Sequence, residues 1–263
     1  MDKFKRNYQR RFIVRNGITI SYLYSEGTSK KLIAAFPPGF RNASHFVEHF
    51  DFLDNYWNII VFDPLGRGES SSSANLDDYF TSFEIYLDII ETEGFKTSDT
   101  VIMGKSFSAP FVEYLLRQKD DFYYSIIITG PRLLSKIEYA FTVACINLAI
   151  RSWVVRDIFN LGIHYIARHT PMGFEYYNWK DVKGWLQWKI PLIIRNHPLT
   201  PQINTPTLLI YNRKDELIPI SKVKEAEIIF KNGEVLYVNS YTHWGPITEE
   251  LINLVNTRLK ELE

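Results

Sequence analysis

The stretch Val101-Ile102-Met103-Gly104-Lys105-Ser106-Phe107-Ser108-Ala109-Pro110 passes from an apolar run, through a glycine and a lysine, to a lone serine followed by small residues. Thr100 to Met103 has the length and composition of a buried strand, and Ala109 to Arg117 follows a helical period. A strand that turns directly into a helix leaves the side chain at the turn facing whatever lies beyond the sheet edge. In an α/β sheet, ligands bind there. Ser106 is therefore a candidate nucleophile, and its partners must be sought after the other strands.

The alternation around this stretch extends along the chain. Arg11 to Arg15 and Gly17 to Tyr24 read as a hairpin, because Asn16-Gly17 is a strong two-residue turn signal between alternating residues. Further short apolar runs are Leu32 to Phe36, Asn58 to Phe62, Tyr124 to Thr129, Thr207 to Tyr211 and Glu234 to Val238. Helical patterns lie between most of them: Leu76 to Glu93, Ser221 to Phe230 and Ile247 to Leu262. This order predicts an α/β fold with a mostly parallel, doubly wound sheet. From Pro131 to about Pro206 the sequence is helical and aromatic, with no convincing strand. An inserted helical cap over 131–206 is expected, on a core made of 1–130 and 207–263.

Composition bounds the function. A chain of 263 residues fits one domain with a large insertion and can bury a substantial core. Thirty Lys plus Arg balance thirty Asp plus Glu, so the summed field gives no reason to expect a nucleic acid or an anionic membrane as partner. The basic stretch Met1 to Asn16 has no apolar segment after it and reads as a tail leading into a strand. No apolar run approaches the roughly 18 residues of a membrane span. Cys145 is the single cysteine, which excludes an intramolecular disulfide and fits a reducing, cytoplasmic setting.

The positions just after each strand carry the chemistry. Leu32 to Phe36 is followed by Pro37-Pro38-Gly39-Phe40, Asn58 to Phe62 by Asp63 to Ser70, Thr207 to Tyr211 by Asp215, and Glu234 to Val238 by His243. A serine hydroxyl attacks at neutral pH only when an imidazole takes its proton, and the imidazole needs a carboxylate to fix its tautomer and stabilise its charged form. Ser106, His243 and Asp215 supply that set. The developing oxyanion needs fixed donors, for which the backbone N–H groups of Phe40 and Phe107 are the candidates. The set calls for no cofactor and no metal. Glu216 competes with Asp215 as the acid, whereas His164, His169 and His197 fall in the cap. Asp63 and Arg67 read as loop-structuring, with Gly66 and Gly68 giving permissive backbone. His45-Phe46-Val47-Glu48-His49 matches a zinc-peptidase pattern if it lies on an α-helix, where residues four apart share a face.

These motifs, in this order, resemble the α/β-hydrolase fold family. Gly104-Lys105-Ser106-Phe107-Ser108 resembles the nucleophile elbow Gly-x-Ser-x-Gly, Pro38-Gly39-Phe40 the His-Gly-x oxyanion loop, and Asp63 to Ser70 the Asp-x-x-Gly-x-Gly-x-Ser loop. Asp215 to Pro219 resembles the acid turn, and His243-Trp244 completes the chain order Ser, Asp, His. Two positions depart from the pattern: Ser108 replaces the last elbow glycine and Pro38 replaces the usual histidine. Some members carry the acid after the sixth strand, but Thr129-Gly130-Pro131-Arg132 has no carboxylate. The resemblance implies a hydrolase. Serine at the elbow argues against the dehalogenases and epoxide hydrolases of the fold, which use aspartate. Relatives that cleave carbon–carbon bonds, and ligand sensors with slow or no turnover, use the same pocket and stay open.

The cap is expected to choose the substrate. Trp153, Trp179, Trp185 and Trp188 are four of the six tryptophans, and Phe141 lies nearby in sequence. More than half of the cap aromatics are expected to form its own core. Phe141, Trp153, Trp185 and Trp188, with Trp244, are the candidates for lining an apolar cleft that accepts acyl or aromatic groups. The expected activity is hydrolysis of a carboxylic ester or thioester of a small hydrophobic substrate through an acyl-enzyme.

Overall fold

The computed structural model describes residues 6–38, 41–51, 53, 55–71, 76–130, 144, 154, 202–215, 223–239 and 248–263. Eight strands form one sheet: β1 (Gln9–Arg15), β2 (Ile18–Ser25), β3 (Leu32–Phe36), β4 (Asn58–Phe62), β5 (Thr100–Lys105), β6 (Tyr124–Ile128), β7 (Thr207–Asn212) and β8 (Gly233–Val238). Their spatial order is β1-β2-β4-β3-β5-β6-β7-β8. β1 and β2 are antiparallel, β2 meets β4 antiparallel, and every pair from β4 to β8 is parallel. The hairpin turns at Asn16 (φ 52°) and Gly17 (φ 77°), two left-handed residues in succession that match the twist of the flanking strands.

The strands are buried because both faces of the sheet are covered. The residues of β3, β4, β5, β6 and β7 are buried throughout, which is why each reads as a continuous apolar run rather than an alternation. Alternate residues nevertheless part to opposite sides. Ile102 packs with Ile60, Phe62, Tyr86 and Phe111, whereas Val101 and Met103 pack with Phe46, Ile126, Leu251 and Val255. The first layer is carried by α1 (Leu76–Thr92), α2 (Ala109–Gln118) and α3 (Val223–Ile229), and the second by the chain around Phe46 to Trp57 and by α4 (Glu249–Glu261). On α2, Phe111, Val112, Leu115 and Leu116 recur at helical spacing and face the sheet.

The strand order sets the site. β4 lies on one side of β3 and β5 on the other, so the sheet reverses its winding between β3 and β5. Such a switch point opens a crevice at the carboxyl ends of the two strands, and it brings the loop after β3 beside the turn after β5. Beneath that loop Phe36 stacks on Phe62 at 4.7 Å between ring centres and meets Tyr86 edge-on at 5.0 Å.

Several boundaries differ from the expectation. β6 stops at Ile128, since Thr129 takes a left-handed φ of 51° and leaves the strand. The segment after the β3 loop is not the α-helix that the histidine pattern requires. It forms two short 3-10 turns, Ala43–His45 and Val47–Phe50. Of the expected cap only residues 144, 154 and 202–206 are described, and Ile203 bridges to Phe230 of the core in parallel. Among the described residues, no helix is long and apolar enough to cross a membrane.

Candidate active site

Gly104, near the end of β5, and Ser106, just past it, shape the passage into α2. Ser106 follows the extended Lys105 (φ −122°, ψ 133°) with a φ of 55°, then opens a 3-10 turn, Ser106–Ser108, that runs into α2. A serine in the left-handed region is uncommon and persists only where its surroundings hold it. They do so by close packing. A Cβ on Gly104 would sit 2.7 Å from Val112 Cγ2 and 3.0 Å from the Ser108 carbonyl oxygen, so α2 approaches β5 only because that side chain is missing.

Ser108 does more than stay small in place of glycine. It is fully buried, its Oγ accepts the Lys105 N–H at 2.9 Å, and its hydroxyl lies 2.9 Å from the Phe36 carbonyl and 3.0 Å from that of Lys105. With one proton to donate and two acceptors in reach, the hydroxyl ties the end of β3 to the elbow.

The loop after β3 is held from several sides. Arg41 N–H donates to the Pro38 carbonyl at 3.3 Å and closes a turn. Arg67, only 2% exposed, donates from Nη1 to that same carbonyl at 2.9 Å and lies 3.4 Å from the Arg41 carbonyl. Its guanidinium carbon sits 4.9 Å from the centre of the Phe107 ring. Asp63, fully buried, accepts Ala43 N–H at 2.7 Å, Glu69 N–H at 3.2 Å and Arg10 Nη1 at 2.6 Å. Gly68 (φ 51°) passes so close that a Cβ would lie 2.3 Å from the Asp63 carboxyl carbon. The loop-structuring reading of Asp63 and Arg67 thus acquires definite partners.

On the acid side, β7 ends at Asn212, whose carbonyl accepts the Asp215 N–H at 3.1 Å and whose Oδ1 accepts the Lys214 N–H at 3.1 Å. Lys105 lies within electrostatic reach of both Arg41 and Asp215. It is 6% exposed, and burial pushes its ammonium down to about 8, with the Arg41 charge acting in the same direction and Asp215 against it. The charge of Asp215 is therefore felt at the residue next to Ser106. Nothing in sequence periodicity marks Lys105 as buried, because strand register alone does not say what lies beyond a strand's end.

His243, Phe40, Phe141, Trp153, Trp185, Trp188 and Trp244 lie outside the described residues, as does Glu216. Thr129 stands after β6, buried and left-handed, with its N–H donated to Ile210 at 2.7 Å. Around His45, a 3-10 turn has about three residues per turn and does not stack side chains four apart, so the zinc pattern loses the helix it needs. Among the described residues, no three His, Cys, Asp or Glu side chains group as metal ligands.

No family model and no curated protein matches the chain. Solved structures do. A serine hydrolase involved in carbazole degradation is similar with a TM-score of 0.69 at 13% identity, over 97% of this chain and 100% of that one. Epoxide hydrolase A from Mycobacterium thermoresistibile gives 0.71 at 14% identity, over 97% and 98%. A membrane phospholipase A described as a bacterial virulence factor gives 0.69 at 14% identity, over 97% and 86%. With the strand order, the left-handed Ser106 turn and near-complete coverage of these structures, the chain has the α/β-hydrolase fold.

Proposed function

We propose that the protein is a cytoplasmic serine hydrolase that cleaves a carboxylic ester or thioester of a small hydrophobic substrate through an acyl-enzyme. The observation that carries this reading is the left-handed backbone of Ser106 at the β5–α2 turn, which holds a hydroxyl at the sheet edge. Strained backbone of this kind clusters at active sites, which supports the reading. In this reading His243 takes the proton of Ser106 as Oγ attacks the acyl carbon, and Asp215 orients His243 and stabilises its charged form. The Phe40 and Phe107 amides hold the oxyanion. His243 then gives its proton to the leaving oxygen or sulfur, and water repeats the sequence to release the acid. Serine at the elbow separates this chemistry from an aspartate-based epoxide opening. The cap aromatics Phe141, Trp153, Trp185 and Trp188, with Trp244, supply the apolar cleft.

Intact-mass measurement after treatment with a fluorophosphonate tests the reading. One adduct is expected on the wild type, absent from Ser106→Ala and unchanged by a chelator, followed by a preference for longer acyl chains that salt does not alter. Folded wild type without an adduct would move the assignment to a ligand sensor on the same pocket.

A further inference from the structure

Beyond the triad, and resting on the hydrolase reading, we propose that Arg67 is the positioning residue of the oxyanion hole. The two candidate donors come from separate loops, Phe40 after β3 and Phe107 after β5, and a hole works only when both amides are set before charge develops. Arg67 touches both loops. Its Nη1 meets the carbonyls of Pro38 and Arg41 at 2.9 and 3.4 Å, the two residues that flank the Gly39-Phe40 segment. The same guanidinium lies over the Phe107 ring at 4.9 Å. One planar cation thus ties Pro38 and Arg41 to the Phe107 ring.

The arrangement is suited to this task. Guanidinium is charged at every relevant pH, presents its donors in a rigid plane and stacks on aromatic faces, so it fixes carbonyls on one side and a ring on the other. Arg67 is itself held: its backbone N–H donates to the Pro64 carbonyl at 2.8 Å, and the Leu65 N–H in the same loop donates to the buried Tyr86 hydroxyl at 3.0 Å. It is 2% exposed, so solvent does not loosen the clamp. Lysine keeps the charge but offers neither the fork nor the stacking plane.

The test uses a pair of substrates, an oxygen ester and its thionoester, in which sulfur replaces the carbonyl oxygen. A thiolate-like intermediate is larger and a weaker acceptor, so a hole set for oxygen favours the ester. The ester-to-thionoester ratio of kcat therefore reports the hole, whereas loss of folded protein lowers both rates alike. Arg67→Met is expected to lower kcat for the ester by about a hundredfold, the size of losing one hole donor, with KM little changed and the ratio falling at least tenfold. Arg67→Lys should recover only part of the ratio, and Phe107→Leu, which keeps the amide and removes the ring, should fall between. If Arg67→Met does not fold, Arg67→Lys and Phe107→Leu decide. Equal losses on both substrates, or an unchanged ratio, would reduce Arg67 to a structural residue. Failure of the wild type to label with fluorophosphonate would instead overturn the hydrolase reading beneath it.

Discussion

The two halves of the candidate site are secured in different ways. Around the loop after β3, three buried side chains arrive from distant points of the chain: Asp63 at Ala43, Arg67 at Pro38 and Arg41, and Ser108 at Phe36. Around the turn after β7 the described holding is by backbone N–H groups: those of Lys214 and Asp215 end on Asn212, and that of Arg213 ends on Val238 of the neighbouring β8. The difference follows the demands of the proposed reaction. Donors that meet a developing negative charge gain from being fixed beforehand, because any reorganisation during reaction raises the barrier. A carboxylate that orients an imidazole needs only its hydrogen bond and its charge.

The largest effect should come from the acid side. Asp215→Asn is expected to lower kcat by about four orders of magnitude, as in other triads whose acid becomes an amide, while the melting temperature stays near that of the wild type. Steady-state kinetics beside calorimetry checks this; a large drop in stability would mean that the two halves are built alike.

Next comes Asp63→Ala on the cross-tied half. It leaves two backbone N–H groups without their buried acceptor and takes one carboxylate from the partly exposed Arg10, which keeps Glu69, a loss of about 2 to 4 kcal/mol. Urea unfolding should show the loss, and a midpoint shift worth under about 1 kcal/mol would deny the loop its anchor.

Lys105 gives a pH signature. Its value is lowered from 10.5 to about 8, chiefly by burial. Below about pH 8 both the folded and the unfolded chain carry the proton, and the fold bears the desolvation cost in full. Between the two values the unfolded chain holds more protons, so stability rises with pH. Lys105→Met should accordingly be more stable than the wild type at pH 7 by up to roughly 3 kcal/mol. Its advantage should shrink toward pH 10.5. A constant gap across that range would mean that the lysine is not buried as a cation.

The smallest expected effect belongs to Ser108→Gly, which restores the usual elbow residue. It leaves the Lys105 N–H and Phe36 carbonyl short of a partner, for about 1 to 3 kcal/mol. Thermal unfolding measures it, and an unchanged midpoint would show the fastening to be idle.

Much of this was legible in the residues. β3 and β4 fall where the apolar runs Leu32 to Phe36 and Asn58 to Phe62 place them, because a strand buried on both faces must be apolar throughout. The α-helix that the histidine spacing around His45 needs does not form. Over so short a stretch propensity decides little, and here Asp63 takes the Ala43 N–H while Asn42 Oδ1 takes that of His45 at 3.3 Å, which sets a tighter turn. In the site, Ser106 and Asp215 could be named from their positions after strands. The work of Ser108 could not, since its partner Phe36 is 72 residues away.

By itself the sequence determined the alternation of strands and helices, the hairpin at Asn16-Gly17 and the places where chemistry could sit, because each depends on period, turn geometry and neighbours along the chain. Only the tertiary structure decided the order β4-β3-β5, the burial of Lys105 and the meeting of Arg67 with Pro38, Arg41 and Phe107. These are contacts between distant segments, made because the reversal of winding brings the loop after β3 beside the turn after β5.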